Sequence, residues 1–110
     1  MNTLRNRVQL IGNLGNDPEI IVTESGRKLA KFSLATNDSY RNAEGEKVTQ
    51  TDWHNVIAWG KVAEIIESYF TIGKEVAVEG KLTYRSWEDQ DGNKRYTTEV
   101  VCHELLMLGR

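Results

Sequence analysis

The sequence predicts an all-β domain: a small five-stranded barrel with one helix between its third and fourth strands. Three observations lead there. Apolar and polar residues alternate with period two in strand-length runs divided by glycine-bearing turns. One stretch, 61–70, changes to a helical period, with Val62, Ile65, Ile66 and Tyr69 at i, i+3, i+4 and i+7. The 110 residues make one domain, 1–110, with room for a single core. Three strands, a helix and two strands fit the OB-fold, a five-stranded Greek-key barrel.

The first strand is residues 5–14, where Val8 and Leu10 share one face and Arg7, Gln9 and Ile11 the other. Gly12 and Gly15 mark a bulge or bend, and Asn16-Asp17-Pro18 a turn. Residues 19–23 are short and extended, a spur of the first strand. Residues 28–36 form the second strand, with Ala30, Phe32, Leu34 and Thr36 on one face. Residues 37–50 are polar and aperiodic, and read as a long loop holding Tyr40 and Arg41 side by side. The third strand, 51–61, places Trp53, Asn55, Ile57 and Trp59 on one face and His54, Val56 and Ala58 on the other. The helix then stops at Gly73, its apolar stripe closing the core.

Residues 75–87 return to period two. Val76, Val78, Leu82 and Tyr84 form a core face, and Lys81, Thr83, Arg85 and Trp87 an opposite basic and aromatic one. Asp91-Gly92 is a hairpin turn. The fifth strand, 94–103, puts Tyr96, Thr98, Val100 and Cys102 on one face.

Composition narrows the function. Hydrophobic residues at 39% and charged residues at 27% describe a soluble globular chain. No run approaches the roughly 20 apolar residues of a membrane helix. Arg5 and Arg7 precede no apolar segment of a signal peptide. One cysteine, Cys102, excludes an internal disulfide and fits a reducing compartment, so a cytoplasmic protein is expected. A formal charge of −2 and pI near 5.7 run against a nucleic-acid binder, since such domains are usually basic. Residues 1–41 hold 6 Lys/Arg against 4 Asp/Glu, and 42–79 hold 3 against 7. Any phosphate-binding groove must come from local placement.

Signs of catalysis are thin, and no enzyme, cofactor or metal is expected. Gly60-Lys61 lacks the upstream glycine and the Ser/Thr of a phosphate loop. His103 alternates away from Cys102 and Glu104, so these neighbours do not converge on a metal. Trp53 and Trp59 stand roughly 20 Å apart on one strand face, at about 3.3 Å per residue. They are open to two readings, core residues or a platform for an extended ligand. Tyr40, Trp53, Trp59 and Trp87, with Arg41, Lys61, Arg85 and Arg95 near them in sequence, favour single-stranded nucleic acid. Exposed bases stack on rings while cations follow the phosphates. The helix carries only Lys61 as a basic residue, which suits a duplex reader poorly.

The chain resembles the bacterial and mitochondrial single-stranded DNA-binding protein family over nearly its whole length. The matching residues begin with Gly12-Asn13-Leu14, Asp17-Pro18-Glu19, Leu34-Ala35-Thr36, Trp53-His54 and Gly60-Lys61 before Ala63-Glu64. Gly73, Glu79-Gly80, Leu82, Trp87 and Tyr96-Thr97-Thr98-Glu99 complete the set. The resemblance implies an OB-fold, single-stranded DNA binding with little sequence preference, and a homotetramer. It implies stacking by Tyr40, Trp53, Trp59 and Trp87, with Tyr40 and Trp59 as variants of a larger aromatic and a phenylalanine. Lys61, Arg85 and Arg95 match basic positions, while Thr83 and Ser86 stand where relatives often carry Lys or Arg. His54 would face a subunit contact. Most bacterial relatives continue into a flexible linker and an acidic tail that recruits other enzymes. Nothing follows Arg110, so tail-dependent recruitment is not expected from this chain.

The function expected is coating and protecting exposed strands in replication, recombination and repair, in the cytoplasm at the nucleoid. The alternatives are an OB-fold accessory protein of replication restart, or a protein-interaction module using the aromatic face.

Overall fold

A computed structural model describes residues 4–109. The elements are β1 (Val8–Leu14), β2 (Glu19–Val22), β3 (Lys28–Arg41), β4 (Lys47–Trp59), α1 (Gly60–Tyr69), β5 (Glu75–Glu88) and β6 (Lys94–Met107). Pairing runs β1–β5–β6–β4–β3, and β3 returns to β1 at Asn13↔Ala35 and Leu14↔Leu34. The ring is therefore closed at the end of β1, while residues 8–12 of β1 keep one edge open. β4 and β6 are parallel where they meet, at Val56↔Val100 and Ile57↔Val101, and the other pairs are antiparallel.

The barrel interior follows from alternation. Ala30, Phe32 and Leu34 of β3 point inward with Val56 and Ala58 of β4, Val76 and Val78 of β5, and Val100 and Cys102 of β6. Helix α1 closes one end with Ala63, Ile66 and Phe70, and the Phe70 ring meets Phe32 edge-on at 5.6 Å. Burial pushes the Cys102 thiol up to about 11, and its Sγ–H donates to the Glu104 carbonyl at 3.2 Å. That thiol is a small core residue, not a nucleophile.

Five expectations are corrected. Residues 19–22 are a separate strand, β2, paired with β3 through Glu19↔Lys31 to Val22↔Lys28, because the Asn16-Asp17-Pro18 turn breaks the chain after β1. The loop expected over 37–50 is mostly strand: β3 and β4 stay paired out to Arg41↔Lys47, around a turn at residues 42–46. This hairpin arm projects past the barrel, so both its faces are wet and no apolar alternation marks it. Hydrogen bonds hold it instead, Thr51 Oγ1 donating to Asn37 Oδ1 at 2.7 Å, and the Glu44 and Glu46 amides donating to Asn42 Oδ1.

The buried stripe is Ala63 and Ile66 of α1 with Phe70 just past its end, while Ile65 and Tyr69 face solvent. The small Ala63 lets the helix sit close to the barrel, which turns the buried face by about one residue. Finally, Tyr84 is 71% exposed and not in the core, because β5 and β6 also run past the barrel as an arm. The fifth strand itself extends beyond 103 to Met107. Glu79 pairs with Glu104 but Gly80 with Cys102, so His103 is an extra residue and the alternation of β6 flips there. Leu105, facing Val78, is then turned to the core.

A Cβ on Gly80 would lie 1.9 Å from the Val101 carbonyl oxygen, a distance only backbone movement relieves. Gly80→Ala should therefore lower stability by about 1–3 kcal/mol, a fall in Tm of roughly 5–15 °C. Native-like melting of that variant would show that the bulge yields.

Candidate nucleic-acid interface

Register fixes which side chains share the outer face of the barrel. Lys31 pairs with Ile57, Ser33 with Asn55 and Ala35 with Trp53, so the odd-numbered residues of β3 and β4 point away from the core. Across the β4–β6 contact the same face continues into Thr97 and Glu99, and then into Thr83, Arg85 and Trp87 of β5. A cleft of about 440 Å³ opens on it, lined by Lys31, Ser33, Asn55, Arg85, Trp87 and Glu99 among others.

Of the tryptophans, Trp53 is 62% exposed, which excludes the core reading for it, and Trp87 is 50% exposed. Trp87 Nε1 donates to Thr97 Oγ1 at 3.1 Å, which pins the ring's edge and leaves its plane available. A Cβ at Gly15 would come within 2.3 Å of the Trp53 ring, so the ring lies against the backbone at the end of β1. Trp59 is half-buried, with the Arg27 guanidinium 4.4 Å from its ring centroid. Trp53, Trp59, Trp87 and Arg85 are thus brought to one face.

Arg95, the register partner of Trp87, shares that face at the arm tip, while Tyr40, Arg41 and Lys61 lie farther off. Tyr40 is 51% exposed near the tip of the β3–β4 arm, opposite Val48, and alternation puts it on the other side of the hairpin from Trp53. Arg41 donates to the Gly45 carbonyl at 2.8 Å in the same arm's turn. Lys61 is exposed in the first turn of α1, just past β4. Arg95 lies opposite Trp87 at the tip of the β5–β6 arm and is bound to Asp89. His54 points inward and shares a 2.9 Å hydrogen bond with Thr36.

Carboxylates compensate several of the cations. Arg85 Nη2 donates to Glu99 Oε2 at 2.9 Å, and Glu99 is only 5% exposed in the middle of the face. Arg95 Nε donates to Asp89 Oδ2 at 2.9 Å. Lys31 and Arg27 take part in no ion pair among the described residues. Sequence reasoning missed Lys31, though its alternation with Ala30 and Phe32 was a usable signal. It also missed Arg27 and Glu99, which only the register across strands brings in, and left Asn55 unassigned although alternation had already set it on the face of Trp53. Among the described residues no group of three His, Cys, Asp or Glu could hold a metal ion, and no helix is long and apolar enough to cross a membrane.

Three comparisons bear on this face. The model of the single-strand binding protein family matches residues 5–108. A single-stranded DNA-binding protein 1 of Chlorobaculum tepidum is 46% identical over 105 residues, 94% of this chain and 65% of that protein. One of the same name from Xylella fastidiosa is 43% identical over 106 residues, 96% of this chain and 78% of that protein. The chain thus spans about two thirds to four fifths of these relatives. A solved complex of the Plasmodium falciparum SSB with single-stranded DNA superposes with a TM-score of 0.87 at 32% identity, covering 99% of this chain and 100% of that one.

The Asp89 carboxyl is held below its usual range by the Asn93 amide first, then by Arg95 and the Asp91 amide. A lowered carboxyl pKa stabilises the arm tip above the ordinary Asp range, and that stabilisation is lost as pH falls below about 4. Carbon-detected NMR should give Asp89 a midpoint below that of a peptide aspartate. A midpoint at or above it would mean the turn does not hold the carboxylate in solution.

Proposed function

The chain belongs to the single-strand binding protein family, and on that premise we propose that it binds single-stranded DNA along the outer face of β3–β6. The carrying observation is the exposure of Trp53 on β4 and Trp87 on β5 on one outer face, with Lys31 of β3 across the cleft from Trp87. Stacking on rings needs no particular base, because every base offers a π-face. Binding is therefore sequence-tolerant, and it involves no bond-making. With Arg85 and Arg95 already ion-paired on this face, the stacks carry more of the affinity and the phosphates less than in a basic domain. The role that follows is coating strands exposed in replication, recombination and repair, in the cytoplasm at the nucleoid.

Trp53→Ala and Trp87→Ala should each leave the melting temperature nearly unchanged yet weaken oligo-dT binding by about 1–3 kcal/mol. Lys31→Ala and Lys61→Ala should each flatten the plot of log affinity against log salt by about 0.7, one phosphate contact apiece. Arg85→Ala is a poorer probe, because it strands the buried Glu99 carboxylate. Binding indifferent to salt and to both tryptophans would instead favour a protein-interaction module.

The assembly proposed is a homotetramer. Beyond family membership, it is supported by the β1 edge. Residues 8–12 pair with β5 on one side only, and Ile11 stands exposed beside Leu106. Such an edge and apolar patch suit pairing with a second copy. Light scattering at micromolar concentration should give about four times 12.5 kDa, and a monomer mass would sink the assembly while leaving the DNA face intact.

A further inference from the structure

Trp59 differs from the other two tryptophans in having a partner already on its ring. Arg27 immediately precedes β3 and shares the parity of Leu29, which pairs with Trp59, so guanidinium and indole lie on the same outer face. The 4.4 Å separation from centroid to guanidinium carbon is that of a cation–π contact. A planar guanidinium on an indole is held by the ring quadrupole and by dispersion, and its N–H edge stays free to donate. Neither Trp53 nor Trp87 has a cation over its ring among the described residues.

Charge sharpens the contrast. Arg85, Arg95, Lys28 and Arg7 each meet a carboxylate, whereas Arg27 meets none. Its positive charge is available to a ligand undiminished. Arg27 also stands four residues from Lys31, another cation of this face without an ion pair among the described residues, a span of roughly 13 Å along the strand. Two cations outside any ion pair thus stand at the β2 end of the cleft, Lys31 with Glu19 as its cross-strand neighbour and Arg27 with its orientation set by an aromatic ring.

We propose that Arg27 and Trp59 form a phosphate-binding station rather than a base-stacking one. Trp59 orients Arg27, and Arg27 takes a backbone phosphate of the bound strand. The reading rests on the single-stranded DNA function above, and differs from the role expected of Trp59 from the sequence. A base reaches this ring face only by displacing the guanidinium, so stacking is left to Trp53 and Trp87. Trp59 is on this account a positioning residue, acting through Arg27.

The test uses oligo-dT and full-length chains. Arg27→Gln keeps most of the side chain's stem and removes the charge; Arg27→Lys keeps the charge. Between 0.05 and 0.5 M salt the native protein should lose about fivefold more affinity than Arg27→Gln, a slope difference of about 0.7, and Arg27→Lys should keep the native slope. In a chain whose sole tryptophan is Trp59, made by Trp53→Phe and Trp87→Phe, saturating oligo-dT should change the fluorescence little. Adding Arg27→Gln should make the same emission quench as a base reaches the ring. An unchanged slope in a folded Arg27→Gln protein overturns the proposal, and so does strong quenching of Trp59 with Arg27 present. If Arg27→Gln does not fold, the Trp59-only chain with Arg27 intact decides alone. A native protein that fails to bind oligo-dT at any salt concentration would defeat the DNA reading itself, a different outcome from either of these.

Discussion

Everything functional here depends on one ladder, the antiparallel pairing of β3 with β4 from Leu29↔Trp59 to Arg41↔Lys47. A strand's side chains alternate strictly, so once Phe32, Leu34, Val56 and Ala58 are committed to the core, their neighbours have no choice of side. Lys31, Ser33, Trp53, Asn55 and Ile57 are turned outward by that commitment. A one-residue slip would bury Trp53 and Lys31 and expose Phe32. The apolar core and the candidate binding face are thus two sides of one register.

Closure of the barrel carries this face around from β4 to β5. The short parallel contact of β4 with β6 and the long antiparallel one of β6 with β5 set Trp87 and Arg85 beside a cleft whose other wall holds Lys31. The two hairpin arms run past the ring because their backbone pairs without a core beneath it. That freedom makes their composition polar. It also lets Tyr84 and Tyr96 stand far out in solvent.

The electrostatics resolve an apparent conflict between an acidic chain and an anionic ligand. Glu99 and Asp89 sit among the cations, where they fix Arg85 and Arg95 in place as much as they neutralise them. On the function proposed, such a face would draw its affinity from rings and its attraction to phosphate from the cations left outside ion pairs. Net charge says nothing about either, since both are properties of placement.

The sequence by itself determined the order of the five barrel strands and the helix, though not the separate β2, together with the inward set of β3, β4 and the first half of β5, and the outward aromatic residues Trp53 and Trp87. Each of these is written in local period, and local period is what side-chain alternation makes legible. Only the tertiary structure decided the rest. The arms escaped notice because a strand wet on both faces has no apolar rhythm, and the inserted His103 reversed the parity of β6 where no single-strand pattern could show it. The burial of α1 turned on how closely Ala63 allows the helix to approach. Arg27 met Trp59, and Glu99 met Arg85, through register between strands distant in sequence. Alternation tells which side a residue faces; only the pairing of strands tells whom it faces there.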